Sequence, residues 1–277
     1  MISIKQWLMQ SSLPRNESRI LLQHITHKTP AQLLTQDDET LPEQQLTALN
    51  QLAQRRIMGE PIAYLIGERE FYGRRFFVNP AVLIPRPETE HLIECALSKL
   101  PKNGTVLDLG TGSGIIAITL KCERLDLTVF ASDISETALA VATQNAKQHQ
   151  AAIQFAQGSW YEVMPTFRLP EKLDLIIANP PYIEQNDPHL QQGDLRFEPQ
   201  NALTDFADGL SAYRTLIAGA TNYLINGGWL MMEHGYNQAN EIRKLFQAAQ
   251  CWQHIETQQD LAQLDRITLA QFRQPEH

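Results

Sequence analysis

Leu173-Asp174-Leu175-Ile176-Ile177-Ala178-Asn179-Pro180-Pro181-Tyr182 is the stretch on which the reading of this chain turns. A short apolar run broken by two prolines reads as a strand buried on both faces, the kind that sits inside a parallel sheet. Proline has no backbone N–H and confines the residue before it to extended conformations, so Pro180 and Pro181 stop the strand and stiffen the chain beyond it. The carbonyls nearby are left without ladder partners. With the Asn179 side-chain oxygen they form a cluster of acceptors that can take both protons of an –NH2 group, and Tyr182 offers a ring face to stack on its plane. Asn-Pro-Pro also suits an ordinary turn. The rest of the chain decides between the two.

Around that strand the pattern alternates. Strands are expected over 105–109, 127–132, 153–156, 173–178, 228–233, 252–257 and 264–272, with helices over 115–123, 136–148, 209–225 and 237–249. Such alternation means an α/β fold with a doubly wound, mainly parallel seven-stranded sheet and ligands at the carboxyl ends of its strands. The expected domains are a helical bundle over 1–67, a β-hairpin linker over 68–85 and the sheet domain over 86–277. In the bundle, Ile4, Trp7 and Leu8 mark a first helix and Leu21 and Ile25 a second, with Asn16 as a candidate cap. Pro30 and Pro42 open two more. His24 and His27 lie three apart but have no third ligand in view. Gly59-Glu60-Pro61 reads as the joint. In Leu83–Glu90, Pro87 is expected at a first helical position, and Arg86, fixed between two prolines, either caps or faces a ligand. The polar stretch between Tyr182 and Asp208 is a long loop leaving directly from the strand end, and loops of that length are usually functional.

The 277 residues, 43% of them hydrophobic, are enough for a buried core. The net charge is −8, and it is uneven: residues 1–75 carry nine Lys/Arg and eight Asp/Glu, the remainder 14 and 23. The half with the candidate site is the acidic one, which suits a protein partner better than duplex DNA. Cys95, Cys122 and Cys251 lie far apart, which points to reduced, buried thiols rather than a disulfide framework or a zinc site. No signal-peptide pattern and no membrane-spanning run is evident, so a cytoplasmic chain is expected, without membrane partners.

Asp108-Leu109-Gly110-Thr111-Gly112-Ser113-Gly114 ends one strand and opens a helix. Glycines here let the backbone turn tightly and let a ligand touch it. The dinucleotide fingerprint is G-x-G-x-x-G, and in this loop the third glycine comes one residue early. The tighter loop fits a ligand without phosphates, and S-adenosyl-L-methionine is one. Asp133, ending the next strand, can take both ribose hydroxyls or cap the following helix. Trp160 either packs beside an adenine or belongs to the core. A methyl donor at one strand end and an amino clamp at another imply an N-methyltransferase.

With these motifs the chain resembles the peptide chain release factor N5-glutamine methyltransferases of the HemK type (also called PrmC). The resemblance rests on the N-terminal helices, Gly59-Glu60-Pro61-Ile62-Ala63-Tyr64, Leu83–Glu90, Asp108–Gly114, Asn179–Tyr182 and Arg196-Phe197-Glu198-Pro199. Asn-Pro-Pro-Tyr alone is shared with DNA adenine methyltransferases, so the joint and the Ile-Pro-Arg-Pro-Glu-Thr-Glu segment discriminate. The resemblance implies a SAM-dependent (class I, Rossmann-like) enzyme of translation termination that leaves S-adenosyl-L-homocysteine. It implies that Gly110, Thr111, Gly112, Ser113 and Gly114 hold the methionine tail, Asp133 the ribose and Trp160 the adenine region, with Asn179 beside the methyl group. Asn179, Pro180, Pro181 and Tyr182 would receive the glutamine of a Gly-Gly-Gln motif in class 1 release factors, and Phe197-Glu198-Pro199 would cover that peptide. A monomer without direct nucleic-acid binding is expected. The rivals are a nucleic-acid adenine N6-methyltransferase, which needs the same clamp, and a non-catalytic S-adenosylmethionine sensor.

Overall fold

The computed structural model describes residues 2–168 and 172–275. By internal contacts the chain forms two compact units, Met1–Glu68 with Gln192–Phe197, and Arg69–Gln191 with Glu198–His277.

The first unit holds α1 (Ile4–Gln10), α2 (Arg15–Thr26), α3 (Pro30–Thr35), α4 (Glu43–Ile57) and α5 (Ile62–Ile66). Ser3 with Gln6 and Thr29 with Gln32 form reciprocal caps that satisfy the first free N–H groups of α1 and α3. Asn16 is no cap: Pro14 occupies that place and Asn16 lies within the first turn of α2. Ile4, Trp7, Leu21, Leu22, Leu33, Leu41, Leu49 and Leu65 make the core. Gly59-Glu60-Pro61 is no joint but lies within the first unit, where Pro61 stands at the N-cap of α5 and left-handed Gly67 (φ 73°) ends that helix. Residues 192–197 pack in this unit. The Arg56 guanidinium donates to Glu17 at 2.8 Å and to Asp194 at 3.0 Å, and Arg196 Nη2 donates to the Met58 carbonyl at 3.0 Å.

The second unit opens within the hairpin of β1 (Glu68–Phe71) and β2 (Arg74–Phe77), whose first residue still belongs to the first unit. Tyr72 (φ 51°) and Gly73 (φ 69°) are both left-handed, the twist a two-residue hairpin turn requires. Phe71 and Phe76 are buried in the main core of this unit, so the hairpin is packed structure. Next come α6 (Thr89–Lys99), β3 (Thr105–Leu109), α7 (Ile115–Glu123), β4 (Thr128–Asp133), α8 (Glu136–Gln148), β5 (Ile153–Gln157), β6 (Leu173–Ala178), α9 (Gln200–Leu203), α10 (Ser211–Ala220), β7 (Leu224–Glu233), α11 (Ala239–Ala248), β8 (Trp252–Gln259) and β9 (Asp265–Phe272). α6 begins two residues after Pro87, since Arg86, Pro87 and Glu88 form a turn whose carbonyls take the N–H groups of Thr89, Glu90 and His91. The helix expected over 209–225 stops at Ala220, because Leu224 already pairs with Leu173 in the sheet.

The seven strands lie in the order β5-β4-β3-β6-β7-β9-β8. Those from β5 to β7 run parallel, and β9 is antiparallel to both neighbours. Strand order reverses between β3 and β6, the position where open α/β sheets leave a crevice at their carboxyl ends. β6 is buried from both sides: Leu175 and Ile177 belong to one core and Leu173, Ile176 and Ala178 to the other. Of the three cysteines only Cys95 is buried, while Cys122 and Cys251 are half-buried, and all are free. Among the described residues no helix is long and apolar enough to cross a membrane, and no cluster of His, Cys, Asp and Glu could hold a metal ion.

Candidate active site

The loop after β3 is built from its own backbone. Gly110, Gly112 and Gly114 have φ of 76°, 55° and 85°, values that side chains rarely tolerate. The N–H groups of Gly110 and Thr111 both donate to the Ser132 carbonyl at the end of β4 at 2.9 Å. Beneath them, buried Asp108 receives the Thr111 hydroxyl at 2.6 Å and the Ala117 N–H at 3.3 Å, and burial pushes its carboxyl up to about 7. A Cβ on Gly112 would meet open space, whereas one on Gly114 would strike Ile118 and Ala142. Gly112 therefore keeps the loop open to a ligand, and Gly114 lets α7 pack against α8.

Asp133 closes the loop from the neighbouring strand. Its Oδ2 accepts the Gly112 N–H and its Oδ1 the Ser135 N–H, each at 2.9 Å. The cap of α8 is Ser135, whose hydroxyl accepts the Ala138 N–H. Burial raises the Asp133 pKa against these backbone donors. Each oxygen takes one backbone amide, so lone pairs remain for a diol.

A cavity of about 350 Å³ opens at the strand ends, within the range of small-molecule sites. Gly110, Thr111, Gly112, Ser113, Asp133, Trp160, Asn179 and Pro181 line it; Gly114, Pro180 and Tyr182 do not. Pro180 is buried and Tyr182 packs on the core behind, its carbonyl accepting from Gln238 Nε2 at 3.0 Å. Trp160 is half-buried, packs against that same core and also lines the cavity.

Sequence reasoning missed several walls. Thr89, the first residue of α6, lines the cavity and accepts a hydrogen bond from Asn179 Nδ2 at 3.3 Å. Its signal lay in the Leu83–Glu90 segment, where Arg86 is the more conspicuous residue. Asp205 ties the far wall. Against the cost of burial, the Ser211 hydroxyl and the amides of Ser211, Ala207 and Gly209 hold its pKa low. Left-handed Phe206 (φ 56°) stands exposed at the mouth. Glu233 ends β7 and His234 follows it; both are buried, at 2% and 0% exposed.

Glu198 is also placed differently from its expected part in covering a peptide. It is 3% exposed, and its carboxylate accepts the Arg86 guanidinium and the Ile84 N–H. It anchors the returning loop to the segment before α6. Glu198→Ala strands a backbone N–H and leaves a partly solvated Arg86 without its partner, an expected loss of about 2–3 kcal/mol in denaturant unfolding. A loss below about 1 kcal/mol would remove the anchor.

Residues 3–67 match the family described as the PrmC N-terminal domain, and residues 88–194 match the Methyltransferase small domain. A release factor glutamine methyltransferase of Neisseria gonorrhoeae is 52% identical over 272 residues, covering 98% of each chain. The chain belongs to the release factor glutamine methyltransferase family. A second release factor glutamine methyltransferase, from Aliivibrio fischeri, is 43% identical and covers 95% of this chain and 92% of its own length. Among solved structures, the T. thermophilus 16S rRNA N2 G1207 methyltransferase in complex with AdoMet and guanosine superposes with a TM-score of 0.53. At 15% identity, over 74% of this chain and 50% of that one, it shows the shared sheet alone. As a release factor glutamine methyltransferase the chain is an enzyme.

Proposed function

We propose that this enzyme methylates the side-chain amide nitrogen (N5) of the glutamine in the Gly-Gly-Gln motif of class 1 peptide chain release factors, as a single cytoplasmic chain. The observation that carries the reading is that Asn179, at the tip of β6, opens into the same cavity as the glycine loop after β3. Bound S-adenosyl-L-methionine supplies an electrophilic methyl group on a sulfonium. The loop from Gly110 to Gly114 and the Asp133 carboxylate would hold its tail and ribose, with Trp160 beside the adenine. They fit: Gly112 leaves open space and Asp133 keeps unshared lone pairs.

A glutamine amide nitrogen is a poor nucleophile because its lone pair is delocalised into the carbonyl. The Asn179 oxygen and the Pro180 carbonyl would accept its two protons, hold it partly pyramidal and stabilise the positive charge that develops. Placing the nitrogen about 3–3.5 Å from the methyl carbon would supply much of the rate. No strong base is required, since the proton can leave after transfer. Pro181 and Tyr182 would shape the entrance and the wall behind it.

The acidic character of residues 76–277 weighs against an adenine N6-methyltransferase, which would meet a polyanion there. Labelled S-adenosyl-L-methionine offered with release factor, with release factor whose glutamine is alanine, and with DNA should label the first alone. Label on DNA would transfer the reading to its rival; label on nothing would leave a sensor.

A further inference from the structure

The Asn179 clamp works only if its amide is turned the right way. An amide has two donors on nitrogen and two lone pairs on oxygen, and a side chain free to rotate would present either. What fixes it lies behind Asn179, on two other elements. Asn179 Nδ2 donates to Thr89 Oγ1 at 3.3 Å. The Glu233 carboxylate, on β7 beside β6, lies close enough to Thr89 and Asn179 for both to favour its charged form. Glu233 is 2% exposed, and its Oε2 has no partner among the described residues. A carboxylate can only accept. The Thr89 oxygen accepts from Asn179, which leaves the hydroxyl proton to be offered to Glu233. A flipped Asn179 would set its oxygen against two acceptors. The network admits one orientation, with nitrogen inward and oxygen toward substrate.

We infer that Glu233, acting with Thr89, is a positioning residue that holds the Asn179 oxygen toward the substrate amide. The inference rests on the reading of the site as an amide N-methyltransferase. It has a consequence in pH. Burial, aided by Glu88, pushes the Glu233 carboxyl up to about 7 despite Thr89, Arg266 and Asn179, which favour its charged form. Arg266 comes from β9, Tyr182 follows β6, and buried Tyr213 on α10 donates its hydroxyl to the Glu233 carbonyl. Neighbouring His234 is held neutral by burial, its ring bound to the Gly235 carbonyl and Thr268. Once protonated, Glu233 can donate, and the flipped Asn179 is then tolerated. The ordered form belongs to the carboxylate, so the clamp is intact above about pH 7 and loosens below it.

The test uses the full chain with a class 1 release factor. kcat and KM are followed from pH 5.5 to 9 for wild type, Glu233→Gln, Thr89→Val and Thr89→Ser, with cofactor affinity by calorimetry. Glu233→Gln should lower kcat by about 10–100-fold and change KM and cofactor affinity by no more than about 3-fold, as for a group that acts in the transition state. Its profile should lose the acid limb near 7 expected of wild type. Its melting temperature at pH 8 should not fall, because a buried charge has been removed. Thr89→Val should share the defect, and Thr89→Ser, which keeps the hydroxyl, should restore the rate. Wild-type kcat and acid limb in Glu233→Gln would overturn the inference, as would a loss of cofactor affinity equal to the loss of rate. Should Glu233→Gln fail to fold, the Thr89 pair decides: equal rates for Val and Ser would overturn it. A wild type that labels no release factor would instead sink the functional reading beneath it.

Discussion

Asn179→Ala loses methyl transfer to release factor by about a thousandfold or more, while S-adenosyl-L-methionine binds within several-fold of wild type. Removing one preorganised group that meets developing charge costs roughly 10²–10³ in rate. Here the same substitution also removes the neighbour that Thr89 and Glu233 hold in register. The residues proposed to hold the cofactor are separate: the glycine loop hangs from Ser132 and Asp133, whereas Asn179 bonds to Thr89. Rate and affinity should therefore part company. Single-turnover labelling beside calorimetry measures both on one preparation, and an Asn179→Ala enzyme that still turned over at about a tenth of the wild-type rate would end the clamp account.

Asp133→Ala shows the opposite split. It weakens cofactor binding by about 10–100-fold, or roughly 1.4–2.8 kcal/mol, and lowers kcat at saturation far less. Two losses combine. The proposed ribose acceptor goes, and the N–H groups of Gly112 and Ser135 lose theirs, so the loop is no longer pinned to β4. Unchanged affinity by calorimetry would reduce Asp133 to a fastening of the backbone. Asp133→Asn is a useful companion, since its one remaining oxygen can serve Gly112 or Ser135 but not both.

The parts of the site that were legible in sequence are those written locally. Two prolines after an apolar run mark the end of β6, and three glycines in five residues mark the loop after β3. Their meeting follows from the reversal of strand order between β3 and β6, which the alternation of strand and helix implies. Thr89 and Glu233 were not legible in the same way. Glu233 reaches the clamp because β7 runs beside β6, with Ala178 opposite Met232, and no periodicity records such a neighbour. Thr89 arrives from α6, ninety residues before Asn179 in the chain. Glu198 misleads for a related reason. A charged residue in a polar loop suggests the surface, and only the fold supplies the Arg86 and Ile84 groups that make its burial tolerable. α5 is hidden by Gly59-Glu60-Pro61, whose proline reads as a break but serves as a helix start.

The loop that leaves the Asn179 strand has six residues, 192–197, that pack with the helical unit. A catalytic fragment begun at residue 69 would strip Asp194 of Arg56 and Arg196 of the Met58 carbonyl, although every cavity-lining residue would still be in the polypeptide. The amino-terminal helices are thus no detachable accessory: evolution or an engineer exchanging them for another module must also rewrite a few residues far downstream.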